Sequence, residues 1–270
     1  MNYRSWLCSP ATHPGMVDKA ISVQADIIHF DLEDSVSPEN KQAARIALAD
    51  QFRHPGHYSS AIRINPLNMR DGLDDLAFLK INNIVPDIII VPKSCICRDA
   101  SMVRDILGDV RLFAVIESIS THYELCQMKA PVPGLAGVIF GSADFSVSMN
   151  IAPQHFPSEM ARLIKMEISL HAHRLGIMAI DAPCFALHDI DRLQTEILQA
   201  RKFGFKGKIA LHPRQVAAIN RNFCDSNRDK SLAREIVDKA QQNITGPVFT
   251  LSDVLVGPPH LKHAKAIIED

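Results

Sequence analysis

The chain has 270 residues and a net charge of −1, with 47% hydrophobic and 22% charged residues. That length allows one large core or two smaller ones, and the composition is ordinary for a globular protein. The balanced charge gives no electrostatic case for nucleic acid or an anionic membrane, and no apolar run approaches the ~18 residues of a bilayer span. The N-terminus, Met1 to Trp6, lacks the apolar segment of a secretion signal, and six scattered cysteines suit reduced thiols; both fit a cytoplasmic protein.

In chain order, residues 4–9 read as a strand, closed by Pro10 and Pro14, and residues 15–24 as a helix. Residues 26–31 form the second strand, ahead of Leu32-Glu33-Asp34. Ser37 then reads as an N-cap with Pro38 at the first helical position. The third strand is 60–64, containing Arg63, and is followed by the turn Asn65-Pro66 and a helix near 72–80. The fourth is 88–92, with Lys93 after it and a helix near 98–107. Residues 112–116 are apolar without a break, as expected of a strand buried on both faces, and they end on Glu117. After a helix around 121–128, residues 135–140 repeat this arrangement and lead into Gly141-Ser-Ala-Asp144. A long helix covers 158–175. Strands at 177–181 and 207–211 follow, with helices at 190–203 and after His212-Pro213.

Eight strand-then-helix units imply parallel strands with right-handed crossovers, closed into a (β/α)₈ TIM barrel. The expected barrel domain spans 1–225. A C-terminal helical extension, 226–270, would pack on the barrel or on a neighbouring subunit; Thr245-Gly246-Pro247 breaks it.

The polar residues fall at C-terminal strand ends, where barrel enzymes keep their chemistry. These are Glu33, Asp34, Arg63, Lys93, Glu117, Asp144, Asp181 and His212. A carboxylate at the end of a buried strand is costly unless a cation compensates it. Glu117 and Asp144, with no His or Cys beside them, suit a hard cation such as Mg²⁺. The rival readings are a salt bridge for Glu117 and a helix N-cap for Asp144. Arg63 offers a planar fork for a substrate carboxylate or carbonyl; the alternative is an ion pair with Glu33 or Asp34. The pairs His171/His173 and His260/His263 read as solvated. The Cys95-x-Cys97 pair lacks the second pair that a zinc site needs. No GxSxG, GxGxxG or Walker A sequence is present.

Several of these pieces occur together in one known family. Arg4-Ser5, Asp31-Leu-Glu-Asp-Ser-Val36, Arg63-Ile-Asn-Pro66, Val91-Pro-Lys93, Ile116-Glu-Ser118, Phe140-Gly-Ser-Ala-Asp144, Ala179-Ile-Asp181 and Gly204 to Pro213 follow its order. The chain resembles the citrate lyase β-subunit-like branch of the HpcH/HpaI aldolase family. The resemblance implies a TIM barrel assembled as a trimer or hexamer. It also implies a Mg²⁺-dependent lyase acting on citryl, citramalyl or malyl thioesters of coenzyme A or of a carrier protein, which yield a small 2-oxo acid. It matches Glu117 and Asp144 to the metal ligands and Arg63 to the substrate-holding arginine. Glu33 and Asp34 match the acidic pair that orders that arginine and the metal-bound waters. The alternatives are an aldolase or condensing enzyme acting on free 2-oxo acids, and a non-catalytic subunit of a larger lyase assembly. In related enzymes a tail Asp reaches the neighbouring subunit's site; here Gly257 stands in its place, which weakens the case for thioester hydrolysis. His13-Pro14 also replaces a stretch common after the first strand.

Overall fold

The computed structural model describes residues 2–13, 15–53, 58–224, 227–242 and 246–269. Pro14 and Thr245, read above as breaks, and Ser226, where the tail was expected to begin, lie outside them. The chain divides into two compact units, Met1–Phe223 and Cys224–Asp270.

The first unit is a closed barrel of eight parallel strands. They are β1 (Ser5–Pro10), β2 (Ile27–Asp31), β3 (Ser59–Arg63), β4 (Ile88–Val91), β5 (Arg111–Ile116), β6 (Leu135–Phe140), β7 (Met178–Asp181) and β8 (Gly207–Ala210). Each pairs with the next, and β1 closes the ring on β8.

Side chains alternate across each strand, so every second residue points into the barrel. Trp6, Ile27, Ala61, Ile88, Ile90, Phe113, Val115, Ile139, Ile180 and Ile209 form the inner cluster. Trp6 and Phe113 meet edge to face at 5.0 Å. Gly137 makes room for Phe113: a Cβ there would lie 2.2 Å from the ring. The intervening residues, such as Leu7, Ile28, Phe30, Ile62 and Ile89, pack outward in the larger core cluster. The runs look continuously apolar because both faces of each strand are covered.

The expected capping of the second helix differs in detail. A short 3₁₀ turn, Pro38–Asn40, precedes the helix Lys41–Arg53. Ser37 sits at the cap position, but its hydroxyl accepts from the Asn40 side chain at 2.9 Å instead of from a backbone N–H. An additional short helix, Ser142–Ser148, follows β6. Its seven residues contain only two well-buried positions, Phe145 and Ser146, which is too little periodicity to show in the sequence.

The second unit holds the helix Asn227–Gln242, the antiparallel pair β9 (Phe249–Leu251) and β10 (Val254–Val256), and the helix Pro258–Glu269. Ser252 and Asp253 turn the hairpin with φ of 46° and 63°, the geometry of a two-residue mirror-image turn. The sequence signals no strands here, since the turn Ser252-Asp253 lacks the usual glycine. Among the described residues no helix is long and apolar enough to cross a membrane.

Candidate active site at the C-terminal mouth of the barrel

A cavity of about 380 Å³ opens at the C-terminal ends of the strands. Its lining includes Asp31, Asp34, Arg63, Glu117 and Asp144 above, and Cys8, His29, Ile90, Val115, Ile139 and Ile209 below. Asp31, Arg63 and Glu117 stand at strand ends, so the sheet spaces them; Asp34 follows in a loop and Asp144 on a short helix.

Arg63 ends β3 directly beside Asp31 at the end of β2. Its Nε donates to Asp31 Oδ1 and its Nη2 to Oδ2, both at 2.7 Å. The backbone N–H groups of Glu33 and Ser35 also donate to this carboxylate, at 2.9 and 3.1 Å. Burial alone would raise the Asp31 carboxyl. The hydrogen bonds and charge of Arg63 outweigh it and hold the group well below the usual carboxylate range. The third guanidinium nitrogen, Nη1, lies 3.0 Å from Glu33 and 3.7 Å from Asp34. The expected ion pair with Glu33 and Asp34 therefore exists, but the two-pronged partner is Asp31. Period-two counting from Ile27 puts Asp31 on the inner face, and that signal could have found it.

Glu33 is buried and lies between Arg63 and the Lys93 ammonium, which approaches its other oxygen at 2.5 Å. Lys93 also reaches Asp34 at 3.4 Å. Burial works against the Lys93 charge, but the bond and charge of Glu33 outweigh it and raise the ammonium above its ordinary value. The loop carrying Glu33 is tied down from outside: Lys41 donates to the Leu32 and Glu33 carbonyls at 2.8 and 2.7 Å, and Asn65 to the Leu32 carbonyl at 3.0 Å.

Glu117 follows β5 and is 3% exposed. It accepts a short hydrogen bond from the backbone N–H of Lys93, whose φ of 47° aims that N–H inward. Among the described residues no Lys, Arg or His lies within ion-pair distance of Glu117 or Asp144, so the salt-bridge reading of Glu117 does not hold. Gly141 pairs with the end of β5 through its N–H, 3.0 Å from the Ile116 carbonyl. A Cβ on Gly141 would lie 2.6 Å from the Glu117 Cβ, so the glycine makes space for that carboxylate. Gly141, not Asp144, occupies the N-cap of the short helix, and Asp144 sits in its first turn.

Two carboxylates of like charge thus share one wall. Burial pushes the Glu117 carboxyl up to about 8; Glu33 and Asp144 add to this, against the Lys93 N–H. Such a group favours a proton unless a cation arrives. Among the described residues no three His, Cys, Asp or Glu side chains converge as a metal cage. Two carboxylates with room for water and substrate oxygens are the donor set that Mg²⁺ takes, so the residues present fit this ion.

Two other mouth positions do not join the site. Asp181 is fully buried and held by Lys165 at 2.9 Å and Lys208 at 2.7 Å. Burial opposes its charge, and the two lysines more than offset that and lower its carboxyl. His212 accepts from the Arg214 N–H through Nδ1 at 3.1 Å and does not line the cavity. His173 bonds the Ser169 carbonyl of its own helix at 2.8 Å, and Cys95 and Cys97 are free thiols.

Comparison with known proteins fits this geometry. Residues 4–213 match the model of the HpcH/HpaI aldolase/citrate lyase family. The chain belongs to that family. A (3S)-malyl-CoA thioesterase from Cereibacter sphaeroides is 30% identical, over 86% of this chain and 80% of the relative. The citrate lyase subunit beta of Haemophilus influenzae is 25% identical, over 98% and 96%. Among solved structures, RipC from Yersinia pestis superposes with a TM-score of 0.73 at 34% identity, covering 84% of this chain and 97% of that one. The citrate lyase beta subunit of Mycobacterium tuberculosis, complexed with oxaloacetate and magnesium, gives 0.72 at 25% identity, covering 82% and 97%. Magnesium is thus a ligand found in this family, whose named members include the malyl-CoA thioesterase, the citrate lyase subunit beta and an L-malyl-CoA/beta-methylmalyl-CoA lyase from Rhodobacter capsulatus.

Proposed function

We propose that this chain is a Mg²⁺-dependent carbon–carbon lyase. It cleaves a 3-hydroxy acyl thioester, such as a citryl, citramalyl or malyl thioester of coenzyme A, into a 2-oxo acid and a shorter acyl thioester. The observation that carries the reading is one cavity with a carboxylate wall on one side and a fully braced guanidinium on the other.

Glu117 and Asp144 would hold the ion, and when bound it supplies Lewis acidity to the oxygens of the acid. Breaking the bond between C2 and C3 leaves its electron pair on the thioester side as an enolate, while the hydroxyl carbon becomes the carbonyl of the 2-oxo acid. The hydroxyl proton leaves, and a proton later returns to C2 of the enolate. Arg63 keeps one N–H, on Nη2, beyond those given to Asp31, Glu33 and Asp34, and donates it to the oxygen on which negative charge grows. Asp31 and Glu33 keep that fork from turning, so it is oriented before the reaction begins. Lys93 holds Glu33 through its ammonium and Glu117 through its N–H, linking the two walls.

Gly257 favours cleavage over hydrolysis, because it offers no carboxylate where the tail Asp of related enzymes stands. Around Gly257 a Cβ would meet only Val248, at 3.8 Å, so glycine is not required there by crowding. A trimer or hexamer is the assembly this reading carries with it.

The test is product analysis on citramalyl-CoA, malyl-CoA and citryl-CoA with MgCl₂. Acetyl-CoA appearing in step with a 2-oxo acid supports the lyase. Free coenzyme A without a 2-oxo acid would make the protein a thioesterase. Turnover of free hydroxy acids alone would make it a free-acid aldolase, and no turnover of either would favour a non-catalytic subunit.

A further inference from the structure

The cavity floor carries one group that the proposed mechanism does not use. His29 lies on β2 two residues before Asp31, on the same inward face and so about 6–7 Å deeper in the barrel. It is 4% exposed. Neither ring nitrogen has a hydrogen-bond partner among the described residues. Its neighbours across the floor are Ile90, Val115, Ile139 and Ile209, an apolar ring that supplies no polar contact. Buried polar groups are nearly always paired, so an imidazole with two unpaired nitrogens beside a substrate cavity calls for a ligand.

We propose that His29 is a further substrate-contacting residue, which hydrogen-bonds an oxygen of the acid at the floor of this cavity. The inference rests on the reading that a short 2-oxo or 3-hydroxy acid occupies the site.

Three features define what His29 can do. Burial and the adjacent Arg63 charge push its imidazole down to about 3, so it stays neutral and is a poor base. A neutral imidazole offers one N–H donor and one bare nitrogen, which suits an uncharged oxygen better than a carboxylate that needs several donors. Cys8 is opposite His29 in the β1–β2 register, but burial pushes its thiol up to about 12 and the two groups are not hydrogen-bonded. They do not form a nucleophilic pair, which leaves His29 as a donor. A neutral histidine can polarise a carbonyl without adding net charge. The contact therefore falls on the carbonyl or hydroxyl oxygen of the acid.

The experiment uses the full chain with MgCl₂ and pyruvate as the simplest 2-oxo acid. Pyruvate affinity is measured by calorimetry for the parent, His29→Gln and His29→Leu. Histidine ¹⁵N signals are followed in parallel, the His29 signal being assigned among the 12 histidines by its loss in the variants. His29→Leu should weaken pyruvate at least tenfold, His29→Gln by less than threefold, and the parent His29 signal should shift on binding. Unchanged affinity in His29→Leu, or pyruvate binding without a His29 shift, overturns the inference and leaves a histidine satisfied by water. If His29→Leu does not fold, the parent shift and the Gln variant decide. Pyruvate binding that depends on His29, in a protein that cleaves no thioester, removes the lyase reading and keeps the contact. If the parent binds neither pyruvate, glyoxylate nor oxaloacetate, the inference fails with the site it rests on.

Discussion

Arg63 and Asp31 meet through two parallel hydrogen bonds of 2.7 Å, at the ends of adjacent strands and in matched register. A lysine in place of Arg63 could supply charge but not two parallel donors. Arg63→Lys should therefore lower kcat/KM by about 10²-fold or more, the scale of losing a charge-stabilising donor. Asp31→Asn should cost less and act mainly on kcat, because the guanidinium stays but its aim loosens. Steady-state kinetics on the preferred thioester separates the two.

Glu117 carries the metal argument. Glu117→Gln should abolish Mg²⁺ binding measured by calorimetry. Treating the parent with EDTA should stop turnover, and added MgCl₂ should restore it. Retained Mg²⁺ affinity in the Gln variant would move the ion elsewhere.

Gly141→Ala separates crowding from charge. The added Cβ would fall 2.6 Å from the Glu117 Cβ and 2.9 Å from a Val115 methyl, and the glycine φ of −97° is open to alanine. The variant should fold, bind Mg²⁺ at least tenfold more weakly, and lose activity in proportion, as read by titration calorimetry beside a thermal melt.

Asp181 should behave as a structural residue. Asp181→Ala leaves the buried Lys165 and Lys208 ammonium groups without their shared partner, and breaking a buried pair costs about 3–5 kcal/mol. Urea unfolding should show that loss. An Asp181→Ala protein of parental stability would refute this account.

His29 gives a pH signature. Its folded-state pKa is about 3, below the usual value of 6.5, so the unfolded chain takes up the proton first as pH falls. The stability contributed by the neutral ring is whole above pH 6.5 and is lost as pH drops from there towards 3, at up to about 1.4 kcal/mol per pH unit. His29→Leu should flatten the stability profile over that window in denaturant titrations at stepped pH.

Much of this architecture was readable in the primary structure for a definite reason. Strands such as Leu112–Ile116 are covered on both faces and so appear as unbroken apolar runs. Glu117 and Asp144 stood out because each follows such a run. Asp31 does not: it is the last residue of its own strand, with Glu33 and Asp34 just beyond it, and His29 reads as one more strand residue. Asp181 gave the same signal as Glu117, a carboxylate closing a buried strand. What separates them is Lys165, which arrives from the helix Ser158–Leu175, and Lys208 from β8. Partners brought in by tertiary packing leave no local trace. The short helix bearing Asp144 shows in the sequence only as a possible cap, and the β9–β10 hairpin is too brief to impose a period.

The ring closes where Ser5–Leu7 lies against Lys208–Ala210, joining positions roughly two hundred residues apart. During synthesis the first strand must therefore wait, one edge unpaired, until nearly the whole barrel has left the ribosome. Exposed strand edges of this kind invite pairing with other chains. A truncation that removes β8 would strand that edge permanently and should yield aggregates in place of a smaller enzyme.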